Sequence, residues 1–391
     1  MPRVAQVITR FIAGAGGVAL RGAMALDPDA YSVTILTAPG GPLIGEAEKA
    51  GFEVVQLAHM RPEINPREDV RAYQELSAEF RKRRFDVVHT HSSKAGALGR
   101  LAAHRDGVPA IVHTFHGFPF HDFQAWPVRA TYVEIEKRLG RITDQFLAVG
   151  GDVAAQAIRL KIAPAERIRA IGSAIAVDVP PTSPARRQSA RRLLGLPEDA
   201  LVVGTVGRLA PQKAPQELVA AFEAMDRPGA YGVWVGDGPL MAATRNLVER
   251  KGLQDRFLLL GERRDVPALL PAFDVFALAS HYEGLPCSIV EAMTCGVPVV
   301  ATAVNAVPEV VVPGRTGVLV PPGAPRLMGR ALAYVLDHPD EGARMAAAAR
   351  DHLGDRFQPA VLGRDLAETY ELALNGSAPI GKRSFGLVAH A

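Results

Sequence analysis

The segment from Val275 to Ala301 constrains the fold of this chain more than any other. Val275-Phe276-Ala277-Leu278-Ala279 is a short, unbroken apolar run, the pattern of a strand buried on both faces of a parallel sheet. Gly284 and Pro286 break the chain, a helix is predicted over residues 288–294, and Gly296 and Pro298 stop it. Val297-Pro298-Val299-Val300-Ala301 reads as the next strand. The order strand, loop, helix, strand sets the loop at the carboxyl end of a strand, where open α/β sheets bind ligands. Two carboxylates bracket the unit: Glu283 in the loop and Glu291 eight residues later, just over two helical turns on. If the loop bends, both border one crevice. The first helical amides, around Ser288 and Ile289, lack partners inside the helix and form an anion site. An anion on the helix and hydroxyls on the acids describe a sugar nucleotide. A surface glutamate and a glutamate answering the helix dipole fit the same spacing.

The remaining chain has material for two such sheets. It is 391 residues long, 48% hydrophobic and 22% charged, as expected of a globular protein of two ordinary domains. A net charge of +3 gives no ground for a nucleic-acid partner, and the mild basic excess suits anionic substrates. Cys287 and Cys295 form no Cys-x-x-Cys and read as buried thiols in a reducing cytoplasm. No apolar run approaches the roughly 20 residues of a membrane span. Arg10 and the glycines after it make the N-terminal apolar segment a first strand, not a signal peptide.

In the first half, a strand over residues 4–9 leads into Gly14-Ala15-Gly16-Gly17 and a helix over 18–26. Phosphate or sugar can approach the bare backbone of Gly16 and Gly17. Gly14, Gly16 and Ala19 match a dinucleotide fingerprint, but the second strand, 32–37, ends without the acid that fingerprint requires. A strand over 52–57 and a helix over 69–83 follow. The helix ends in Arg81-Lys82-Arg83-Arg84, which is either a solvated helix end or a contact for anionic lipid headgroups. The strand 86–91 ends in polar residues, including His91, with Lys94 just beyond, and the strand 108–114 leads to His116-Gly117. His89, His91, His113, His116 and His121 are crowded in sequence, but no acid or thiol completes a ligand set, and no metal site is expected. Residues 118–126 are aromatic and irregular, a mobile acceptor loop or a buried patch.

The proline-rich run 179–184 is the candidate hinge. A helix over 185–194 and a strand over 201–206 come next, and Gly207, Arg208 and Lys213 follow the strand's end. Two cations there meet a diphosphate, or are solvated loop charges. The strand 231–235 ends in Gly236-Asp237-Gly238-Pro239, a turn before a helix started by Pro239. A strand over 257–261, the loop carrying Arg263, an edge strand over 316–323 and helices over 326–336, 341–353 and 361–374 complete the chain.

Glu283 through Glu291, with Ala292-Met293, Gly296, Pro298-Val299-Val300 and Ala301-Thr302, resembles the signature of retaining glycosyltransferases of family 4. The resemblance is densest from Gly204 to Gly323. It implies an α/β fold of GT-B type, two Rossmann-like domains with parallel sheets facing across a cleft. Residues 1–178 would be the acceptor-binding domain and 179–358 the nucleotide-sugar domain. A helix over 359–376 would cross back, ahead of a poorly ordered tail, 377–391.

The resemblance also implies roles. Arg208 and Lys213, with the amides of Ser288 and Ile289, hold the donor diphosphate, Glu291 the ribose, and Glu283 with Gly284 and Leu285 the sugar. His116 reaches the donor sugar, and Gly16 and Gly17 lie against the phosphates and acceptor. Gly207, Gly236 and Arg263 surround the nucleotide, while His91 and Lys94 stand over the crevice. The implied reaction moves a sugar from a nucleoside diphosphate, UDP expected, to the hydroxyl of a saccharide, lipid-linked or small-molecule acceptor. It needs no cofactor and, with no Asp-x-Asp set, no metal. A cytoplasmic enzyme, in peripheral contact with the membrane, is expected. A nucleotide-sugar epimerase of the same fold and a non-enzymatic sensor are the competing readings. Two departures stand out: Ala214 follows Lys213 where glycine is usual, and Asn305-Ala306 replaces a glycine pair.

Overall fold

A computed structural model describes residues 1–12, 14–120, 124–172 and 181–376. His121, the first part of the proline-rich hinge (179–180) and the tail 377–391 lie outside the described residues. The chain divides into two compact units, residues 1–174 with 358–391, and residues 175–357.

In the first unit the described strands are β1 (Arg3–Ile8), β2 (Ser32–Thr37), β3 (Glu53–Gln56), β4 (Val87–His91), β5 (Ala110–Phe115), β6 (Gln145–Ala148) and β7 (Ile168–Ala170). All pair in parallel, in the order β3-β2-β1-β4-β5-β6-β7. Helices α1 (Ala15–Ala25), α2 (Ile44–Lys49), α3 (Pro66–Arg83), α4 (Ser93–Arg105), α5 (Trp126–Gly140) and α6 (Gly151–Arg159) connect them. Because helices cover both sheet faces, β4 and β5 are buried along their whole length. The boundaries follow local chemistry. The side chain of Asn65 caps α3 by accepting from the amides of Arg67 and Glu68, Pro66 starts the helix, and Arg84 ends it in the left-handed conformation. The six-residue α2 has no readable helical period, and no helix was expected there. At the basic end of α3, Arg83 bonds Glu53 and Glu79, while Lys82 and Arg84 are exposed.

The second unit repeats the plan with β8 (Leu201–Val206), β9 (Ala230–Val235), β10 (Phe257–Leu259), β11 (Val275–Leu278), β12 (Val299–Thr302) and β13 (Val318–Val320). Their order is β10-β9-β8-β11-β12-β13, again all parallel. Its helices are α7 (Pro184–Leu194), α8 (Pro215–Ala224), α9 (Met241–Arg250), α10 (Val266–Leu269), α11 (Cys287–Cys295), α12 (Pro325–Asp337) and α13 (Pro339–Leu353). The expected helix start at Pro239 is displaced: residues 239–240 complete the turn and α9 begins at Met241. The described part of the proline-rich run is held within this unit, since Thr182 N–H donates to Cys295 O (2.8 Å) and Ser183 caps α7. Among the described residues, no helix is long and apolar enough to cross a membrane.

The last helix, α14 (Pro359–Leu374), belongs to the first unit. Leu362, Leu366, Tyr370 and Ala373 join Val4, Val87, Val112 and Leu147 in one core, each large aliphatic contributing about 2 kcal/mol. Arg169 adds ion pairs to Asp365 and Glu368 (3.3 and 2.9 Å). Helices α14 and α1 approach closely only because residue 363 is glycine: a Cβ there would stand 2.0 Å from the carbonyl oxygen of Ala25. Gly363→Ala should therefore push α14 off α1 and destabilise the first unit by about 1–3 kcal/mol. Denaturant unfolding measures this, and an unchanged midpoint would contradict the contact.

Candidate functional site

In the second unit the strand order reverses between β8 and β11, so the loops leaving these two strands flank the opening at the sheet's carboxyl edge. The β8 loop is held from beneath by the β9 loop. Gly207 N–H donates to Val235 O (3.0 Å), Trp234 Nε1 donates to Gly207 O (2.8 Å), and Leu209 N–H donates to Asp237 O (3.0 Å). Gly236, at φ +138°, is required here because a Cβ would fall 2.2 Å from Gly207 O. Gly207 and Gly236 thus support the loop that carries Arg208, which is exposed, and Lys213.

Lys213 and Glu283, 70 residues apart in sequence, meet in this opening: Nζ donates to Glu283 Oε1 at 2.5 Å. Ser280 Oγ donates to the same oxygen (2.5 Å) and Gln212 Nε2 to Oε2 (3.2 Å). Gln212 also ties the loops together, through Nε2 to Tyr282 O (2.9 Å) and its own carbonyl to His281 N–H (2.9 Å). Glu283 is 9% exposed, a buried carboxylate satisfied by a cation and two neutral donors. An arriving anion would exchange with Glu283 for Lys213, and the released carboxylate could accept from hydroxyls.

Both departures from expected glycines lie beside this pair and carry left-handed backbone, Ala214 at φ 45° and Asn305 at φ 43°. Alanine at φ > 0 costs about 1–2 kcal/mol, while asparagine tolerates it and uses its side chain. Asn305 Oδ1 accepts from the Glu283 amide (2.9 Å). Asn305 thus holds the Glu283 loop, a role the sequence did not suggest.

Helix α11 starts without a side-chain cap. The amide of Ile289 turns back to Pro286 O (3.1 Å) and its side chain is buried, so the expected pair of open amides reduces, among the described residues, to Ser288. Gly284 and Leu285 lie in the loop before this helix, Leu285 buried, and Glu291 is half-buried. Arg263 is engaged within its own loop by both oxygens of Asp265 (2.8 and 2.6 Å). Of the two thiols, Cys295 is buried, but Cys287 is only half-buried at the start of α11.

In the first unit the reversal lies between β1 and β4. Gly16 and Gly17 are in the first turn of α1, with Gly16 against the backbone of Arg10 and Phe11. Lys94 bonds Asp69 (2.6 Å) and the carbonyl of Glu63. His91 is 3% exposed with both ring nitrogens engaged, Nδ1 by His116 Nε2 (2.9 Å) and Nε2 by Gln6 Oε1. The expectation that His91 itself faces the crevice is corrected: its ring is buried and hydrogen-bonded to His116, which is half-buried. Gln6 and Tyr370, which complete this network, were missed. A glutamine inside an apolar first strand was the available signal. Phe118 and Phe120 stack at 4.8 Å with Phe120 buried, so this part of the aromatic segment is a packed patch, while Trp126 is exposed.

Burial holds all four ring systems neutral. It lowers His89 to about 3 and His116 to about 4, and pushes His91 and His113 well below the ordinary 6.5. Among the described residues no three histidine, cysteine or acidic side chains surround a common point. Because the folded rings hold protons less tightly than the unfolded chain, stability is full above pH 6.5 and falls as pH drops toward about 4. Melting temperature should begin to decline near pH 6.5, above the carboxylate range, when followed by calorimetry. A flat profile down to pH about 5 would contradict the neutral, buried rings.

Two family models match the chain: "Glycosyltransferase Family 4" over residues 12–179 and "Glycosyl transferases group 1" over 186–352. The chain is 32% identical over 303 residues to the UDP-Gal:alpha-D-GlcNAc-diphosphoundecaprenol alpha-1,3-galactosyltransferase of Escherichia coli, covering 75% of this chain and 77% of the relative. It is 32% identical over 329 residues to a D-inositol 3-phosphate glycosyltransferase of Thermobispora bispora, covering 77% and 74%. Among solved structures, Anabaena HepE in complex with UDP and glucose superposes with a TM-score of 0.83 at 21% identity, over 95% of this chain and all of HepE. Sucrose-phosphate synthase of Thermosynechococcus elongatus gives 0.81 at 21% identity, over 96% of this chain and all of that one.

Proposed function

Since the chain belongs to glycosyltransferase family 4 and has the GT-B fold, we propose that it moves a sugar from a UDP-sugar to an acceptor hydroxyl with retention at the anomeric carbon. The observation that carries this is the Lys213–Glu283 pair at the strand-order reversal, with exposed Arg208 on the same loop. It offers a cation for phosphate and an acid for sugar hydroxyls at one place. The UDP in the HepE complex and the UDP-Gal in the name of the E. coli relative support the choice of nucleotide.

In this reading Lys213 exchanges Glu283 for the donor diphosphate, joined by Arg208 and the Ser288 amide. Glu283, still held by Ser280 and Asn305, accepts from the sugar hydroxyls, and Glu291 accepts from the ribose. The bond from the anomeric carbon to the phosphate oxygen breaks as cations stabilise the growing negative charge. The acceptor oxygen bonds the same face of that carbon, and its proton passes to the departing diphosphate. His116 contacts the donor sugar. No cofactor or divalent ion enters the scheme, because two side-chain cations take the charge. The acceptor is a saccharide, a lipid-linked sugar or a small alcohol. For a lipid-linked one, peripheral membrane contact belongs to the same proposal, with Lys82 and Arg84 as exposed cations.

A screen of nucleotide sugars, with product analysis, tests the reading. It should yield free UDP by slow hydrolysis of one donor without an acceptor. An isomerised nucleotide sugar would identify an epimerase, and an intact donor that merely binds would identify a sensor. Activity should survive a chelator. Loss in chelator with recovery in magnesium or manganese would overturn the metal-independent scheme.

Lys213→Ala should lower turnover at saturating donor by on the order of a hundredfold to a thousandfold, the cost of one transition-state charge contact. A change confined to the donor KM would reduce Lys213 to a ground-state tether.

A further inference from the structure

The polar chain behind His116 runs through the interior of the first unit and ends on its last helix. Gln6 Nε2 donates to Tyr370 Oη at 2.9 Å, so the amide presents its carbonyl oxygen to His91 Nε2. A carbonyl can only accept, which puts the proton of His91 on Nε2. Burial keeps this ring neutral, so its Nδ1 is bare and accepts from His116 Nε2 at 2.9 Å. The proton of His116 then sits on Nε2. On the other branch Tyr370, having accepted from Gln6, donates to His89 Nδ1 at 2.8 Å, and His89 Nε2 donates to Thr114 Oγ1 at 2.7 Å. Each of these five contacts then pairs one donor with one acceptor. The neighbouring cavity, about 10 Å³ and bordered by Gln6, His89 and His91, has room for about one water.

We propose that Gln6, oriented by the Tyr370 hydroxyl on α14, is a positioning residue that fixes His91 and through it His116 in one tautomer, with Nε2 protonated and Nδ1 left as the ring's acceptor. His116 then accepts from a hydroxyl of a bound sugar and does not donate to it. The use in transfer rests on the function proposed above, whereas the tautomer itself does not.

The test separates the two. Long-range proton–nitrogen spectra of the full chain carrying 15N-histidine, without ligand, read each ring's tautomer, and His116 is assigned by the signals lost in His116→Asn. The wild-type ring should show a protonated Nε2 and a bare Nδ1. In Gln6→Met the His116 ring should become a mixture of tautomers. In Tyr370→Phe, which removes one oxygen and keeps the ring's edge contact with Tyr31, it should do so in part. A protonated Nδ1 in the wild type would overturn the proposal, as would an unchanged tautomer in Tyr370→Phe and Gln6→Met proteins that remain folded. Donor hydrolysis is the second readout: Tyr370→Phe should slow it by about tenfold, the weight of one hydrogen bond. A mixed tautomer with unchanged hydrolysis would uphold the Gln6 assignment and remove His116 from the reaction.

Discussion

A parallel sheet is covered by helices on both faces, so a polar side chain within its strands is kept from water and depends on partners within the protein. The strand side chains Thr37 and Gln145 are buried without such partners, whereas those at the candidate sites have them. In the first unit Gln6, His89, His91 and Thr114 all project from buried strands, and each is satisfied by another of the set or by Tyr370. In the second, Thr302 Oγ1 donates to Ser280 O (2.6 Å), and Ser280 in turn donates to Glu283. A buried polar network that is half satisfied costs more than an apolar core, whereas a complete one fixes geometry. Here the networks end on His116 in the first unit and on Glu283 in the second.

The second constraint is charge. Glu283 can be buried as a carboxylate only with a cation in contact, and Lys213 supplies it. The pair leaves the site self-neutralised, and under the proposed function the cation offered to phosphate is held by the acid offered to hydroxyls. The loops around the pair carry left-handed backbone, unfavourable at alanine and tolerated at asparagine. Ala214 immediately follows Lys213 with φ at 45°, and Asn305 holds the Glu283 amide with φ at 43°. Strain at such positions persists when surrounding contacts over-determine them, and it clusters where side chains must be aimed.

Helix α14 shows how a remote segment enters a site. Its apolar residues pack into the core of the first unit, and Gly363 brings it against α1. That packing delivers a single hydroxyl, Tyr370 Oη, to Gln6 and His89. Burial raises the phenol far above its ordinary value, so it remains a neutral donor and acceptor. The helix is thereby more than a cover for apolar surface.

The sequence by itself determined the alternation of strands and helices, because apolar runs bounded by glycine and proline report local periodicity. It also determined that Arg208, Lys213, Glu283 and His116 follow strand ends, since that needs only the strand assignment. What it left open was partnership. Lys213 and Glu283 are brought together by the parallel pairing of β8 with β11, where Val275 lies beside Val203. Gln6 and Tyr370 meet across 364 residues. No local pattern encodes such meetings; register and helix packing decide them. For the same reason His91 was legible as a strand-end histidine, but its burial was not. The Ile289 amide looked open until the backbone turned it to Pro286, and Asn305 was legible only as a departure from glycine, not as the side chain that holds the Glu283 amide. Strand ends are a property of the chain, whereas hydrogen-bond partners are a property of the folded sheet.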